Sequence, residues 1–346
     1  MSGSKTLKKQ FLMMRVLWPG TLTKKAFDHS QLVRFGLDKT WAIAKQYLSN
    51  SIEFQNYLSI LRGKIDVDHM DENSAIWPGA FRAPIRWQSR ALHSSASDTY
   101  ESPAGSETSD QDRRRITQRG KDLWDFVKRR QLRLSVDHKS DIHMEEGGSR
   151  DEKKADYEIL VVFALVSLLD CLTQLVPNAR VEWDPSQVEF TAVFDSASCT
   201  AIPDGLLWDL SDRIVKVLLE VKRLGQKEIY DAIVKQESVE TVAWIKNAPQ
   251  SPGILNGRRL IISADYNEIY LTFGEYPPEY VEYLTTGVKH AGAFLTMNSF
   301  GPWLMDNGDD MEQFASIIVA LIFHARDMIV QARRTGMSTK VVTTNC

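Results

Sequence analysis

Two hydrophobic periods sort much of the chain. Trp41, Ala44, Leu48 and Ile52 fall on one helical face, so the spacing predicts a helix over 41–61. A second helix is expected over 156–176, stopped by Pro177. Residues 180–183 and 187–193 read as one strand or a hairpin, and 200–208 as a strand. Clear alternation over 214–222 gives the next strand, joined to the one before by a turn at 209–212. A helix over 226–246 follows, then a strand pair, 259–263 and 268–273, around 265–267. A helix over 311–333 closes the pattern. This mixture implies an α/β fold with a mixed central sheet flanked by helices.

The pattern also divides the chain. Residues 1–88 are poorly patterned apart from the one helix. Residues 89–112 are expected to be a disordered linker, with seven serines between 89 and 111, Pro103 and Gly105. A basic amphipathic helix is expected at 113–138, where Ile116, Leu123 and Val127 share a face. A charged linker at 139–155 leads to a densely patterned domain at 156–334, expected to fold alone, and 335–346 is a polar tail expected to be disordered.

Composition narrows the chemistry. With 346 residues, 43% hydrophobic and 25% charged, the chain can build a sizeable core. A net charge of −3 excludes a general polycation, so affinity for nucleic acid must come from a local patch. The patch is 113–133, with nine Lys/Arg against two Asp. Arg113, Arg114, Arg115, Lys128, Arg129 and Arg130 are its candidate phosphate contacts; a solvated helix or an import signal is the plainer alternative. Three cysteines without CxxC spacing exclude a disulfide scaffold or zinc finger and suit a reducing compartment. The most apolar run, 159–169, ends at Asp170, short of the ~20 residues of a membrane span. Seven Lys/Arg precede residue 37 against one acid, Asp28, and Leu12, Met13 and Met14 are too short a core for a signal peptide. The expected location is therefore intracellular, nucleus or cytoplasm, with a mitochondrial presequence as the alternative. No phosphate-binding glycine loop is present.

The chemistry-bearing residues lie in Ile202-Pro203-Asp204 and Leu219-Glu220-Val221-Lys222. On a strand, Val215, Val217, Leu219 and Val221 point one way into a core, and Glu220 and Lys222 point the other way together. The turn brings Asp204 back toward the Glu220 end, to within a residue or two. Two carboxylates and an ammonium then converge, the donor set of a hard cation such as Mg²⁺, for which Mn²⁺ can substitute. Such an ion activates water and neutralises charge on phosphate.

Asp204 with Glu220-Val221-Lys222, preceded by Pro203, resembles the PD-(D/E)XK motif of the restriction-endonuclease-like nuclease superfamily. The order of elements from 156 to about 273 is similar to that family's helix, three strands, helix, strand core. SADYNEIYLTFGEY and FLTMNSFGPW resemble a group of uncharacterised fungal members. The resemblance implies a Mg²⁺-dependent nuclease, acting on DNA in the first instance. Asp204 and Glu220 would hold the metal, with Lys222 positioning the attacking water. It also implies a metal-organising role for Glu158, on the apolar face with Val162, Leu165 and Leu169, and a site role for Gln236 among Ile229, Ile233, Val239 and Ala243. Arg223 follows the motif as a candidate phosphate contact. The alternative is a nuclease fold without catalysis, binding nucleic acid or a protein partner.

Overall fold

The computed structural model describes residues 8–63, 76–96, 150–186, 188–194, 197–222, 226–251 and 253–335. Helices α1 (Lys8–Met13), α2 (His29–Phe35), α3 (Asp38–Asn50), α4 (Ile52–Leu61) and α5 (Arg82–Ala96) precede α6 (Arg150–Gln174). Strands β1 (Val16–Leu17) and β2 (Thr21–Leu22) lie among the first of these. After α6 come β3 (Val181–Asp184), β4 (Phe190–Phe194), β5 (Ala197–Ala201), β6 (Gly205–Asp209) and β7 (Val215–Lys222). Helix α7 (Gln226–Asn247), β8 (Arg259–Asp265), β9 (Glu268–Glu275), α8 (Pro278–Thr286), β10 (Leu295–Leu304) and α9 (Gly308–Arg334) complete the order.

An eight-stranded mixed sheet runs β1-β10-β9-β8-β7-β6-β3, with β2 also on β10. Strands β3, β6 and β7 form an antiparallel meander, and β8 lies parallel to β7. A parallel neighbour needs a crossover, and α7 supplies it. One face of the sheet, with Val217, Leu219, Val221, Ile262 and Phe273, is buried under α6 and α9. The other, with Leu206, Leu218 and Ile261, is covered by α7, α8 and the β4–β5 hairpin. Helix α9 is long and apolar enough to cross a membrane by length and composition, but 67% of that window is buried in this fold.

Local chemistry fixes the ends. The Asp28 carboxylate accepts the Ser30 amide at 2.8 Å and so caps α2. Asn307 caps α9 through the Asp309 and Asp310 amides. Pro278 occupies the first turn of α8, where its missing N–H costs nothing.

Several elements differ from the pattern-based expectation. The helix over 41–61 is two helices, because Ser51 turns extended and its hydroxyl caps α4 through the Phe54 amide, leaving Ile52 exposed. Residues 89–96 continue α5, since Ile85 and Ala91 are buried and Trp87 packs on Phe163 of α6. Helix α6 starts at Arg150, inside the expected linker. The strand over 200–208 is broken at Pro203, whose ring removes a ladder donor. Strand β5 instead pairs with β4 in a separate hairpin. Val215 packs on the α7 side, opposite Val217, Leu219 and Val221, because a register shift interrupts the β6–β7 ladder there. Residues 97–112, 113–138, 139–149 and 336–346 lie outside the described residues.

Candidate active site

The β6–β7 register sets Gly205 opposite Leu219, so Asp204 stands beside Glu220. Two hydrogen bonds fix it: the Asp204 amide donates to the Leu219 carbonyl at 3.0 Å, and the Asp204 carboxylate accepts from the Val221 amide at 2.8 Å. The break at Pro203 is what frees Asp204 from strand geometry to make this turn. Gly205 lets β6 approach β3 closely, since a Cβ there would lie 2.9 Å from the Asp184 carbonyl oxygen. Gly205→Ala should therefore cost about 1–3 kcal/mol of stability. Urea unfolding checks this, and an unchanged midpoint would mean that β3 yields freely.

Glu220 leaves the α7 face of β7 and is 2% exposed. Its Oε1 accepts from Lys222 Nζ and from the Gln236 side-chain amide. Gln236 reaches in from α7 and also donates to Glu240 Oε1 at 3.0 Å, tying two carboxylates together. Glu220 Oε2 is buried and has no hydrogen-bond partner among the described residues. Lys222 Nζ also donates to the Val221 carbonyl at 3.2 Å. The structure thus brings Asp204, Glu220, Lys222 and Gln236 together. Glu158 lies on α6 but its side chain is outside the described residues, as are Arg223 and the whole basic segment with Arg113, Arg114, Arg115, Lys128, Arg129 and Arg130.

More acids lie deeper. Glu240 and Glu237 on α7 are each 1% exposed, and Asp265 at the end of β8 is fully buried. Burial, then the neighbouring carboxylates Glu240 and Asp204, raises Glu220 well above the usual carboxylate range. Burial raises Asp204 as well, against the opposing pull of Lys222. Glu240 and Glu237 are each pushed up to about 7 and Asp265 to about 8, burial being the largest cause in all three. Burial works against charge on Lys222, but Glu220 and its neighbours outweigh it and hold the ammonium.

These raised values make stability fall as pH rises. Each acid binds its proton more tightly folded than unfolded, so the stabilisation is complete below pH ~4 and is lost as pH passes the folded values near 7 and 8. Relaxation and entering water reduce the sum, so the expected loss between about pH 5.5 and 8 is on the order of 2–4 kcal/mol. Urea midpoints at the two pH values check it, and Asp265→Asn should flatten the slope. A stability that rises over this range would remove the buried acids from the account.

Gln236 was legible as a polar residue among apolar positions on α7. The same argument, carried one turn on to Glu240, would have found the second carboxylate. Asp265 leaves no such signal, because parallel β7–β8 pairing is not written in either strand alone. Other titratable candidates have structural partners. His324 Nε2 lies 2.8 Å from the Ile254 carbonyl oxygen, and His290 pairs with Glu282. Cys199 is a small buried apolar side chain under α7. Lys216, two pleats from Glu220, lies 4.0 Å from Asp209 at the far end of the hairpin.

Among the described residues the candidate ligands here, Asp204 and Glu220, offer carboxylate oxygens, which suit a hard cation. Among the described residues, no group of three Asp, Glu, His or Cys side chains is arranged to hold an ion. Asp204 and Glu220 supply two carboxylates, and Mg²⁺ ordinarily keeps waters and phosphate for its remaining positions. No family model, curated protein or solved structure matches the chain.

Proposed function

We propose that the chain is a metal-dependent nuclease of the PD-(D/E)XK type that hydrolyses phosphodiester bonds, with DNA as the first substrate class. The observation that carries the reading is the Asp204–Glu220–Lys222 juxtaposition, and the helix, three strands, helix, strand order along the chain supports it. The meander β3-β6-β7, the crossover α7 and the parallel strand β8 supply that order. Gln236, bonded to Glu220 from the crossover helix, supports it further.

Asp204 and the free Oε2 of Glu220 would hold Mg²⁺ or Mn²⁺, which when bound supplies an activated water and neutralises phosphate charge. The protein's own part is positional. The Val221 amide fixes the Asp204 carboxylate, and Gln236 fixes that of Glu220. Lys222 presents a charged donor that orients water and steadies the developing phosphate anion. The basic segment at 113–133 would add affinity that does not depend on base sequence.

A second reading, a nuclease-fold module that binds without cutting, draws on the burial of Glu220 and its pairing with Lys222. The deciding experiment is cleavage of end-labelled single- and double-stranded DNA and RNA with 10 mM Mg²⁺ or Mn²⁺, with a chelator control and Asp204→Asn beside wild type. Metal-dependent cleavage lost in the variant supports the nuclease. Binding without cleavage supports the module.

A further inference from the structure

Behind Lys222 lies a pair of acids that the hydrolytic reading leaves unused. Asp265 stands beside Lys222 in the parallel β7–β8 ladder, so both side chains leave the same face of the sheet, toward α7. Glu237 approaches from α7 itself. All four carboxylate oxygens of Asp265 and Glu237 are buried without a hydrogen-bond partner among the described residues. Ser263, beside Glu220 in the same ladder, is 1% exposed, and its hydroxyl faces Glu237 without a completed hydrogen bond among the described residues. The Thr272 hydroxyl, which faces Glu237, donates to Ser299 instead, at 3.3 Å.

Charge accounting gives these orphan oxygens a purpose. Among the described residues, Asp204, Glu220, Glu240, Glu237 and Asp265 are five acids served by one ammonium. Lys222 now sits on Glu220, where a cation would bind. A buried carboxylate without a partner is costly, so burial favours the protonated form of the inner acids until positive charge reaches them. Neighbouring strands lie ~4.8 Å apart, within the swing of a flexible four-carbon lysine stem.

We infer that Asp265, backed by Glu237, is the second seat of the Lys222 ammonium. Resting on the metal-site reading above, the step is this. With a divalent cation held by the Asp204 and Glu220 carboxylates, Lys222 would leave Glu220 with its three protons and pair with Asp265, and the Asp265–Glu237 pair would release one proton to solvent. The O–H bond of a carboxylic acid breaks and no electrons are transferred, so the site gains one net charge where the ion brings two. The groups facing Asp265 are Glu237 on α7, Lys222 on β7, and Glu268 and Tyr270 on β9. Burial, then the Glu237 carboxylate, favours the protonated form of Asp265, and Lys222 opposes it. Asp265 is thus a positioning residue: it touches no substrate but sets where the ammonium stands once the ion is in place.

Calorimetric titration of the full chain with Mn²⁺ at pH 7, in two buffers of different ionisation enthalpy, tests this. Wild type should release roughly one proton per ion, and Asp265→Asn should bind the ion with less than half of that release. Infrared difference spectra of wild type should lose the carbonyl band of a protonated carboxylic acid when Mg²⁺ is added, a readout that stands even where the variant fails to fold. Equal proton release in Asp265→Asn, or an unchanged acid band in a wild type that binds the ion, would overturn the second seat and leave the metal site standing. Failure of wild type to bind Mn²⁺, or equal binding by Asp204→Asn, would overturn the metal site and the second seat with it.

Discussion

Asp204→Asn is expected to lower Mg²⁺-dependent cleavage of DNA by at least roughly 10²–10³-fold, about 3–4 kcal/mol of transition-state stabilisation, while leaving the metal-free protein as stable as wild type or more so. The two halves share a cause. Asp204 is partly buried beside Glu220, and burial raises its pKa, so removing its charge relieves strain between like groups. The hydrogen bond its carboxylate accepts from the Val221 amide can be accepted equally by the Asn carbonyl oxygen. For a site of millimolar affinity, 10 mM Mg²⁺ should stabilise wild type by roughly 1.4 kcal/mol, about 3–5 °C in melting temperature. The Asn variant should show little of that shift. Lys222→Ala should lose cleavage on a similar scale yet keep the shift, because it removes the ammonium that competes with the ion for Glu220. A strongly destabilised Asp204→Asn, or a wild type indifferent to both Mg²⁺ and Mn²⁺, would recast Asp204 as a turn residue and favour the binding module.

The sequence made the centre of the sheet readable because its elements are local. Strands β6 and β7 show their alternation, the turn between them is short, and a hairpin dictates which residues meet. The sequence alone therefore brings Asp204 and Glu220 together. Elements defined by distant partners were not readable. Strands β1 and β2 are two residues each and exist only because β10 accepts them. Strand β10 is interrupted by Gly301-Pro302, which hides its period, and its register on β9 shifts there. The site follows the same division. The hairpin pair was legible, whereas Asp265 depends on a parallel register set by α7. The expectation that 156–334 folds alone meets a sheet shared with N-terminal residues. Residues 16–61 supply two strands of its sheet and two helices, α3 and α4, stacked on α9.

That dependence carries the other large expected effect. Phe35, at the end of α2, is fully buried and stacks on Phe273 of β9 with centroids 3.7 Å apart and planes 8° from parallel. Phe27 lies 5.8 Å from both rings, and Phe300 of β10 meets Phe273 edge-on at 5.8 Å. The four rings fasten the N-terminal segment to the β9–β10 side of the sheet, away from the β6–β7 pair of the candidate site. Phe35→Ala should cost about 3–5 kcal/mol, because the cavity would be walled by strands that cannot collapse into it. Against a total of roughly 5–15 kcal/mol, that leaves a marginal protein. Phe35→Leu keeps most of the volume and should cost under about 1.5 kcal/mol. Val33→Ala, half-exposed on the same helix, should fall within about 0.5 kcal/mol of wild type. A chain starting at residue 150 would leave Phe273 and Phe300 bare and should not unfold cooperatively. Urea unfolding of the three variants and of that truncation, followed by tryptophan fluorescence and far-UV circular dichroism together, separates the cases. Coincident transitions with the stated order of midpoints are expected. A loss below about 1 kcal/mol in Phe35→Ala, well under the usual cost of a buried Phe→Ala, or a cooperative truncation, would mean that the N-terminal helices sit on the sheet as a dispensable layer.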